Sequence, residues 1–600
     1  MVDKDKKFGQ KKSDVFYPVV EVVFGGGITC VSALFCMWLC QFSCGMRLAD
    51  IMTKSAFVLF ISIYAAIFAF ITLVSGRFGL GNSAAMVFLF AVTMLDYQVY
   101  SFRGTEILPG EIYAIRTAVG VAGHYHPQIT IYIVIAVLLL ILYLITLHIL
   151  VKFRKGFFWR GISAVVLIGA VGAFILFIDN VPLLSFGNEG MRLNSFPVNF
   201  CRLVYGSSVE TPEGYSAEII RELEETYCSE SDIQKRPVII AIMNESFADL
   251  NLIGDLPIEE DVLPFFHSLQ ENTIKGWAQV PTFGAGTANT EWEFLTGHSM
   301  RFLPSGATPY SNNALTDSYT SIVSNLKNMG YHCIAMHPYY EYGYARNTVY
   351  PRMGFDEMLF LQDYPQKNLI REYVSDQEMY EEVIRQYEAH TDNSPLFIFG
   401  VTMQNHGGYE YEGDNYTQSV TLQNMSKQYP KAEQYLSLVK ESDAALAYLI
   451  QYFQNVDEEV VIAFFGDHLP YIEQEFYEEI ACGKPEEQLQ LDLYTVPFFV
   501  WANYEIEEQT VDGTSVNYLT NYIYDVAQIP KPGYNLFLAQ LQAHVPILNV
   551  KMAYSQEKKQ YVGYQELSEE EAELMKQYHY LVYNAVFDVD GRSKMFESAQ

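Results

Sequence analysis

Between Phe283 and Gly297 the chain reads FGAGTANTEWEFLTG. Gly284 and Gly286, at alternate positions, lead directly into Thr287. Such glycines let a backbone take positive φ or approach another group closely, and here they set a hydroxyl at the end of a turn. A threonine hydroxyl is a weak nucleophile at neutral pH. A metal ion beside it lowers its pKa, and covalent catalysis then splits one hard displacement into two easier ones. Four other stretches offer partners. PVIIAIMNES runs into Asn244 and Glu245, and YHCIAMHP reaches His337. PLFIFGVTMQNH reaches Asn405 and His406, and EVVIAFFGDH reaches Gly466, Asp467 and His468. Glu245, Asp467 and His468 are the strongest ligand candidates, because carboxylates with an imidazole make a divalent-metal site. Thr287 is a candidate fourth ligand. Mixed oxygen and nitrogen donors suit Mn²⁺ or Zn²⁺ and admit Mg²⁺. Taken singly, each of these residues reads as a capping acid or an ordinary loop histidine; their recurrence at strand ends is what suggests a site.

The elements that position them follow from pattern. Each of the four stretches is a short β-branched run of buried-strand type, and charged helical stretches at 317–329, 374–389 and 433–455 separate them. Strand–helix alternation predicts a mainly parallel sheet flanked by helices. In such sheets ligands bind at the carboxyl ends of the strands, where all four polar ends fall. The expected α/β domain covers 236–550, with 551–600 as its C-terminal extension. Residues 181–235, with Pro182, Pro197 and Pro212, read as a linker.

The first 180 residues are different. Apolar runs occupy 18–43, 56–75, 84–100, 129–151 and 161–178, and about 20 apolar residues cross a hydrocarbon core. The third run is short and holds Asp96. Lysines and arginines cluster in the N-terminal tail (Lys4, Lys6, Lys7, Lys11, Lys12), at Arg77, and at Lys152, Arg154, Lys155 and Arg160. The opposite loops hold Arg47, Lys54, Arg103 and Arg116. This bias predicts a cytoplasmic N-terminus, and five crossings then put the α/β domain outside. In the loop 101–127, Ile112, Ile115 and Val119 are spaced as the buried face of an interfacial helix or lie in a simple connector. Cys36, Cys40 and Cys44 share a helix face in the first run, where packing explains them, and no cysteine spacing demands a disulfide. Residues 181–600 carry 24 Lys/Arg against 61 Asp/Glu. So acidic a half argues against nucleic acid, whose phosphates need basic clusters.

With these residues in view, the chain resembles the lipoteichoic acid synthase family of Gram-positive bacteria, membrane-anchored phosphoglycerol transferases with an extracellular sulfatase-like domain of alkaline-phosphatase type. NESF at 244–247, GTANTEWEFLTG at 286–297, GDH at 466–468 and the segment RGTEILPGEIYAIRTA carry the likeness. The resemblance implies Glu245, Thr287, Asp467 and His468 around one Mn²⁺, with Thr287 as nucleophile. HPYYEYGYAR at 337–346 is similar to the family's glycerophosphate pocket, which implies substrate binding by His337, Tyr344 and Arg346, joined by His406 from QNHGGY. The aromatic is Trp in the best-known members and Tyr344 here. Arg346 also suits phosphate on its own chemistry, since its planar fork donates two hydrogen bonds.

The resemblance implies a multi-pass protein of the cell membrane that takes glycerol phosphate from phosphatidylglycerol. A threonine-linked intermediate then passes it to a glycolipid or a lipoteichoic-acid-type glycerophosphate polymer, with His406 or water supplying a proton to the leaving group. Three other readings compete. A sulfatase or phosphatase fits the scaffold, but the C/S-x-P-x-R motif is missing around Thr287. A phosphoethanolamine transferase uses the same threonine logic, although 337–346 fits glycerophosphate better. A glycan-binding protein with a dead site would not need all four metal-site residues. An acidic exterior facing a polyanionic product remains without a physical account at this level.

Overall fold

The structure is a computed structural model, and it describes residues 2–46, 53–114, 127–150, 157–184, 189–228, 235–310, 319–365 and 367–597. The chain divides into two compact units. One comprises residues 1–109 and 126–208, and the other 110–125 and 209–600.

The first unit is helical. Helices α1 (Val2–Ser43), α2 (Lys54–Ser75), α3 (Phe78–Arg103), α4 (Ile131–Leu150) and α5 (Phe157–Phe177) follow the five apolar runs. Each holds or overlaps a stretch long and apolar enough to cross a membrane, with mean hydropathy from 1.8 to 3.0. The third run is longer than its apolar stretch suggests. Asn82, Thr93 and Asp96 are buried in it and do not interrupt the helix. Asn82 is fully buried and accepts from the Tyr64 hydroxyl at 3.2 Å, and Asp96, also fully buried, accepts from the Ile107 amide at 2.7 Å. Satisfied polar groups of this kind are tolerated inside a bundle. Thr53 caps α2 by accepting from the Ala56 amide, and Gly76 in the left-handed region ends it, the expected asymmetry of helix ends. A short 3₁₀ turn covers Pro109–Ala114. Ile115 and Val119 of the expected interfacial face, and the loop cations Arg47, Arg116, Lys152, Arg154 and Lys155, lie outside the described residues. All eight cysteines are unpaired. The segment expected as a linker carries helices α6 (Phe196–Tyr205), within the first unit, and α7 (Ala217–Thr226), within the second.

The second unit is built on an eight-stranded sheet. Its strands are β1 (Val238–Asn244), β2 (Thr273–Gln279), β3 (His332–Met336), β4 (Glu357–Leu359), β7 (Leu396–Val401), β8 (Val460–Gly466), β9 (Thr495–Ala502) and β10 (Gln509–Ser515). A separate short pair, β5 (Leu369–Ile370) and β6 (Tyr373–Val374), is antiparallel. The order is β10-β2-β9-β8-β1-β7-β3-β4. The run β8-β1-β7-β3-β4 is parallel, and β9 is antiparallel to both its neighbours. Every residue of β1, β7 and β8 is buried, as expected of central parallel strands covered on both faces. Those are the strands that read clearly as apolar runs. β2 (TIKGWAQ) and β10 (QTVDGTS) lie toward one edge, are partly exposed and lack that run. Among the helices of the unit are α8 (Thr287–Thr296), α9 (Asp376–Ala389), α10 (Pro430–Phe453), α11 (Gly533–His544) and α12 (Glu569–Val586). A second apolar cluster joins α7, α11 and α12 through Leu223, Phe537, Leu541, Tyr578 and Leu581.

One surface cluster gives this unit a pH-dependent element. His267 Nε2 lies 2.8 Å from Asp249 Oδ2, and Nδ1 lies 2.7 Å from Asp261 Oδ2. The bond to Asp249, more than that to Asp261, lifts the imidazole from 6.5 to about 9. A raised folded-state value stabilises the charged form, so the contribution is complete below about 6.5 and disappears as pH rises through about 9. Melting curves between pH 6 and 9.5 should therefore fall more steeply for the natural chain than for His267→Gln. Parallel curves would show that the cluster contributes nothing.

Candidate active site and metal centre

The site begins with strand register. β1 and β8 are parallel neighbours, and Asn244 pairs with Gly466. The residues that follow, Glu245 and Asp467, therefore leave the sheet side by side. Gly466 has to be glycine, because a Cβ there would lie 2.0 Å from the Phe247 carbonyl oxygen. Asp467 Oδ1 accepts from the amides of Ser246 at 2.7 Å and His468 at 2.8 Å, which fixes the carboxylate. Ser246 sits at φ 51° to make that turn. The Glu245 amide donates to Thr402 Oγ1 at 3.0 Å, tying the turn to the end of β7.

Ligand atoms of Glu245, Asp467 and His468 all lie within 4.8 Å of one another, and all three residues are buried. His468 Nδ1 lies 2.9 Å from the Leu469 carbonyl, which can only accept. Nδ1 therefore donates, and Nε2 faces Asp467 Oδ2 at 3.3 Å and Glu245 Oε1 at 3.7 Å. Asp467 Oδ2 is buried without a hydrogen-bond partner. Burial first, then the Glu245 charge, pushes Asp467 up to about 6, and burial likewise raises Glu245. Two crowded carboxylates, an unpartnered oxygen and an imidazole nitrogen aimed at them fit a divalent cation. The set is the oxygen-and-nitrogen donor set expected from the sequence.

Thr287 is the first residue of α8. Gly284 and Gly286 stand at φ 74° and 95°, so the alternate glycines do serve left-handed backbone. Thr287 Oγ1 donates to Glu245 Oε2 at 3.3 Å. The Gly284 amide bonds the Leu469 carbonyl at 3.1 Å, and Thr290 Oγ1 donates to the Asp467 carbonyl at 2.7 Å. The Gly284–Thr290 segment and the Asp467–His468 turn are thus stitched together on both sides of the hydroxyl.

His337 follows β3, and Arg346 follows the 3₁₀ turn that holds Tyr344 at φ 52°. The Arg346 fork is engaged within the protein. Nη2 and Nε donate to Glu291 Oε2 at 2.7 and 3.1 Å, with both side chains buried. Nη1 lies 3.1 Å from His337 Nε2, and His337 Nδ1 donates to the Val401 carbonyl at 3.0 Å. An arginine only donates, so His337 is neutral and carries its proton on Nδ1. Burial first, then the Arg346 charge, holds its pKa well below the usual range. Two hydrogen bonds of the planar fork, the feature that suits Arg346 to phosphate, are made here to Glu291 Oε2. Tyr344, half-buried, lies 5.3 Å from the guanidinium. Glu291, one turn after Thr287 on α8, was visible only as an acid in the opening stretch; its partner came from a loop about 55 residues away.

His406 sits in the loop after β7. Its Nδ1 lies 3.1 Å from the Tyr373 hydroxyl. Burial, then the Arg371 and His468 charges, pushes it down to about 4. Arg371, at φ 57°, donates to the carbonyls of Gln404 and His406 at 2.7 Å each. Beneath the site, Asp376 Oδ2 accepts from Asn244 at 2.7 Å and Ser442 at 2.6 Å, and Asn405 donates to Asn244 at 3.2 Å. Sequence reading passed over Arg371, Asp376 and Ser442, which lie on elements whose proximity no local pattern encodes.

Residues 237–529 match the family model described as Sulfatase. This stretch is a sulfatase-family domain. Its metal cluster, Thr287, His337, Arg346 and His406 all fall inside the matched span. Among solved structures, Streptococcus pyogenes phosphoglycerol transferase GacH in complex with sn-glycerol-1-phosphate superposes with a TM-score of 0.53, at 19% identity. It covers 63% of this chain and 95% of that one. At that identity the likeness establishes the fold. A Rhizobium meliloti (strain 1021) protein named for cyclic beta-1,2-glucan modification is 28% identical over 62% of this chain and 58% of its own length. The capsular polysaccharide biosynthesis protein RkpI of the same organism is 28% identical over 40% of this chain and 42% of its own length. The chain thus spans about half the length of these curated relatives.

Two outcomes are expected of the sulfatase-family domain. Mn²⁺ at a hundredfold excess over its Kd should stabilise the protein by about 2.7 kcal/mol. Asp467→Asn should abolish that thermal shift, and equal shifts in both proteins would place the ion elsewhere. Removing one partner of a buried ion pair costs about 3–5 kcal/mol. Glu291→Ala should therefore lower the urea unfolding free energy by about that amount, whereas a loss under about 1 kcal/mol would mean that Arg346 is satisfied without it.

Proposed function

We propose that the protein is a metal-dependent phosphoglycerol transferase. It moves glycerol phosphate from phosphatidylglycerol, through an ester on Thr287, to a hydroxyl of a glycolipid or lipoteichoic-acid-type acceptor. The observation that carries this reading is the Thr287 hydroxyl at the start of α8, 3.3 Å from Glu245 in the buried Glu245–Asp467–His468 cluster. The sulfatase-family match and the fold shared with a structure titled as a phosphoglycerol transferase support it. Five N-terminal helices of spanning length support membrane anchoring, and an anchored enzyme meets a lipid donor within a surface. The lysine and arginine bias of the helix ends supports an extracellular catalytic domain.

Glu245, Asp467 and His468 would hold the cation, with Thr287 beside them. Bound there, it supplies neutralising charge and makes a hydroxyl easier to deprotonate. Mn²⁺ is the first candidate, with Mg²⁺ or Zn²⁺ as alternatives. Thr287 Oγ1 gives up its proton along the bond toward Glu245 Oε2 and attacks phosphorus. The bond from phosphorus to the diacylglycerol oxygen breaks, and that oxygen takes a proton from water. His406, neutral near pH 7 by its lowered pKa, suits the second half of the cycle. It accepts the proton of the incoming acceptor hydroxyl as that oxygen attacks phosphorus and frees Thr287. His337 and Arg346, held in place by Glu291, would face the phosphoryl oxygens with the guanidinium N–H groups not used on Glu291, and Tyr344 would line the headgroup side. Preorganised charge of this kind needs no rearrangement as the transition state forms.

Thr287→Ala should abolish release of diacylglycerol while leaving the melting temperature nearly unchanged, since a hydroxyl at a helix start carries little packing. Incubation with phosphatidylglycerol and no acceptor should leave a glycerophosphoryl adduct on Thr287, read by peptide mass spectrometry. An active enzyme that never carries the adduct would exclude the covalent route, and an ethanolamine phosphate adduct from mixed lipids would reassign the headgroup.

A further inference from the structure

A row of tyrosines beside this site is not used by the chemistry above. Tyr339, Tyr340 and Tyr342 follow His337 and are half-buried. Tyr340 and Tyr342 stack with centroids 5.3 Å apart and planes 9° from parallel. Tyr339 lies 4.8 Å from Tyr340 and 6.2 Å from Tyr373, and Tyr373 lies 5.2 Å from the His406 ring. The rings thus form a continuous path from a partly exposed aromatic surface to the imidazole assigned to the acceptor hydroxyl. A tyrosine offers an apolar face together with a polar tip. Sugars match both, with C–H faces that lie on rings and hydroxyls that bond to phenols.

Charge distinguishes between acceptors. Exposed Glu341 and Glu372 are interleaved with the row, and residues 181–600 carry 61 Asp/Glu against 24 Lys/Arg. A surface of one sign repels a polymer of the same sign, and a glycerophosphate chain carries one negative charge per unit. An uncharged sugar meets no such barrier. We infer that Tyr339, Tyr340 and Tyr342, leading through Tyr373 to His406, form the acceptor subsite. The acceptor that fits is an uncharged glycan, which receives glycerol phosphate as a decoration. This rests on the transferase reading and narrows its acceptor. In chemical terms the bond formed joins a sugar hydroxyl oxygen to phosphorus, the bond broken is Thr287 Oγ1 to phosphorus, the sugar proton passes to His406, and the freed Thr287 oxygen takes back the proton held at Glu245 Oε2.

The test uses the full chain in detergent with Mn²⁺ and phosphatidylglycerol, offered either a neutral glucan oligosaccharide or a glycerophosphate oligomer. Products are read by mass spectrometry. The glucan should gain the mass of glycerophosphate and the oligomer should not lengthen. Tyr340→Ala with Tyr342→Ala should raise the glucan KM by about tenfold, while Tyr340→Phe with Tyr342→Phe, which keep the rings, should hold it within about threefold. Melting temperatures confirm that the variants fold. Elongation of the glycerophosphate oligomer with the glucan untouched would overturn the inference, as would an unchanged KM in the alanine variant. Failure of the donor reading is separate and visible: no adduct forms on Thr287 in the absence of any acceptor, and the acceptor assignment falls with it.

Discussion

Two carboxylates buried next to each other govern the catalytic unit. Glu245 and Asp467 emerge from adjacent parallel strands at matched positions, and neither has a lysine or arginine as its direct partner among the described residues. Buried charge of one sign is expensive unless something of opposite sign meets it. The surrounding structure prepares for that partner and does not replace it. Two amides hold one oxygen of Asp467, and the other is left without a bond. The imidazole of His468 is oriented by the Leu469 carbonyl. The turn at Ser246, the glycine at 466 and the bond from Thr402 serve this one arrangement.

The second half of the site is organised through α8. Its first residue offers the hydroxyl, and Glu291, one turn later on the same face, takes the Arg346 fork. The Thr287 hydroxyl and the acid that anchors Arg346 are therefore mounted on one helix. Arg346 in turn sets the tautomer of His337.

Acidic composition, hard to reconcile with a polyanionic product, becomes informative once the geometry is known. The buried guanidinium near the candidate metal cluster, Arg346, is paired with Glu291, while the sequence around it stays acidic. Such a protein can hold one phosphoryl group firmly and still disfavour a long anionic chain. The stacked tyrosines beside His406 give an uncharged acceptor something to bind.

The sequence by itself determined the local features. Five runs of spanning length, four strands with polar ends, the left-handed glycines before Thr287, and the donor types of the metal cluster were all legible, because periodicity, glycine and residue chemistry act over a few positions. It also suggested a substrate contact for Arg346 from the guanidinium's shape alone. Tertiary structure decided which groups meet. The strand order β8-β1-β7-β3 lined up the four ends, packing of a distant loop gave Arg346 to Glu291, and the Asn244–Asp376–Ser442–Asn405 network joined residues up to 161 positions apart. Strand β10, at the edge, and β2 beside it also waited on the fold, since their partly exposed positions carry no apolar run. Pairing between remote side chains depends on topology, and no window of sequence contains it.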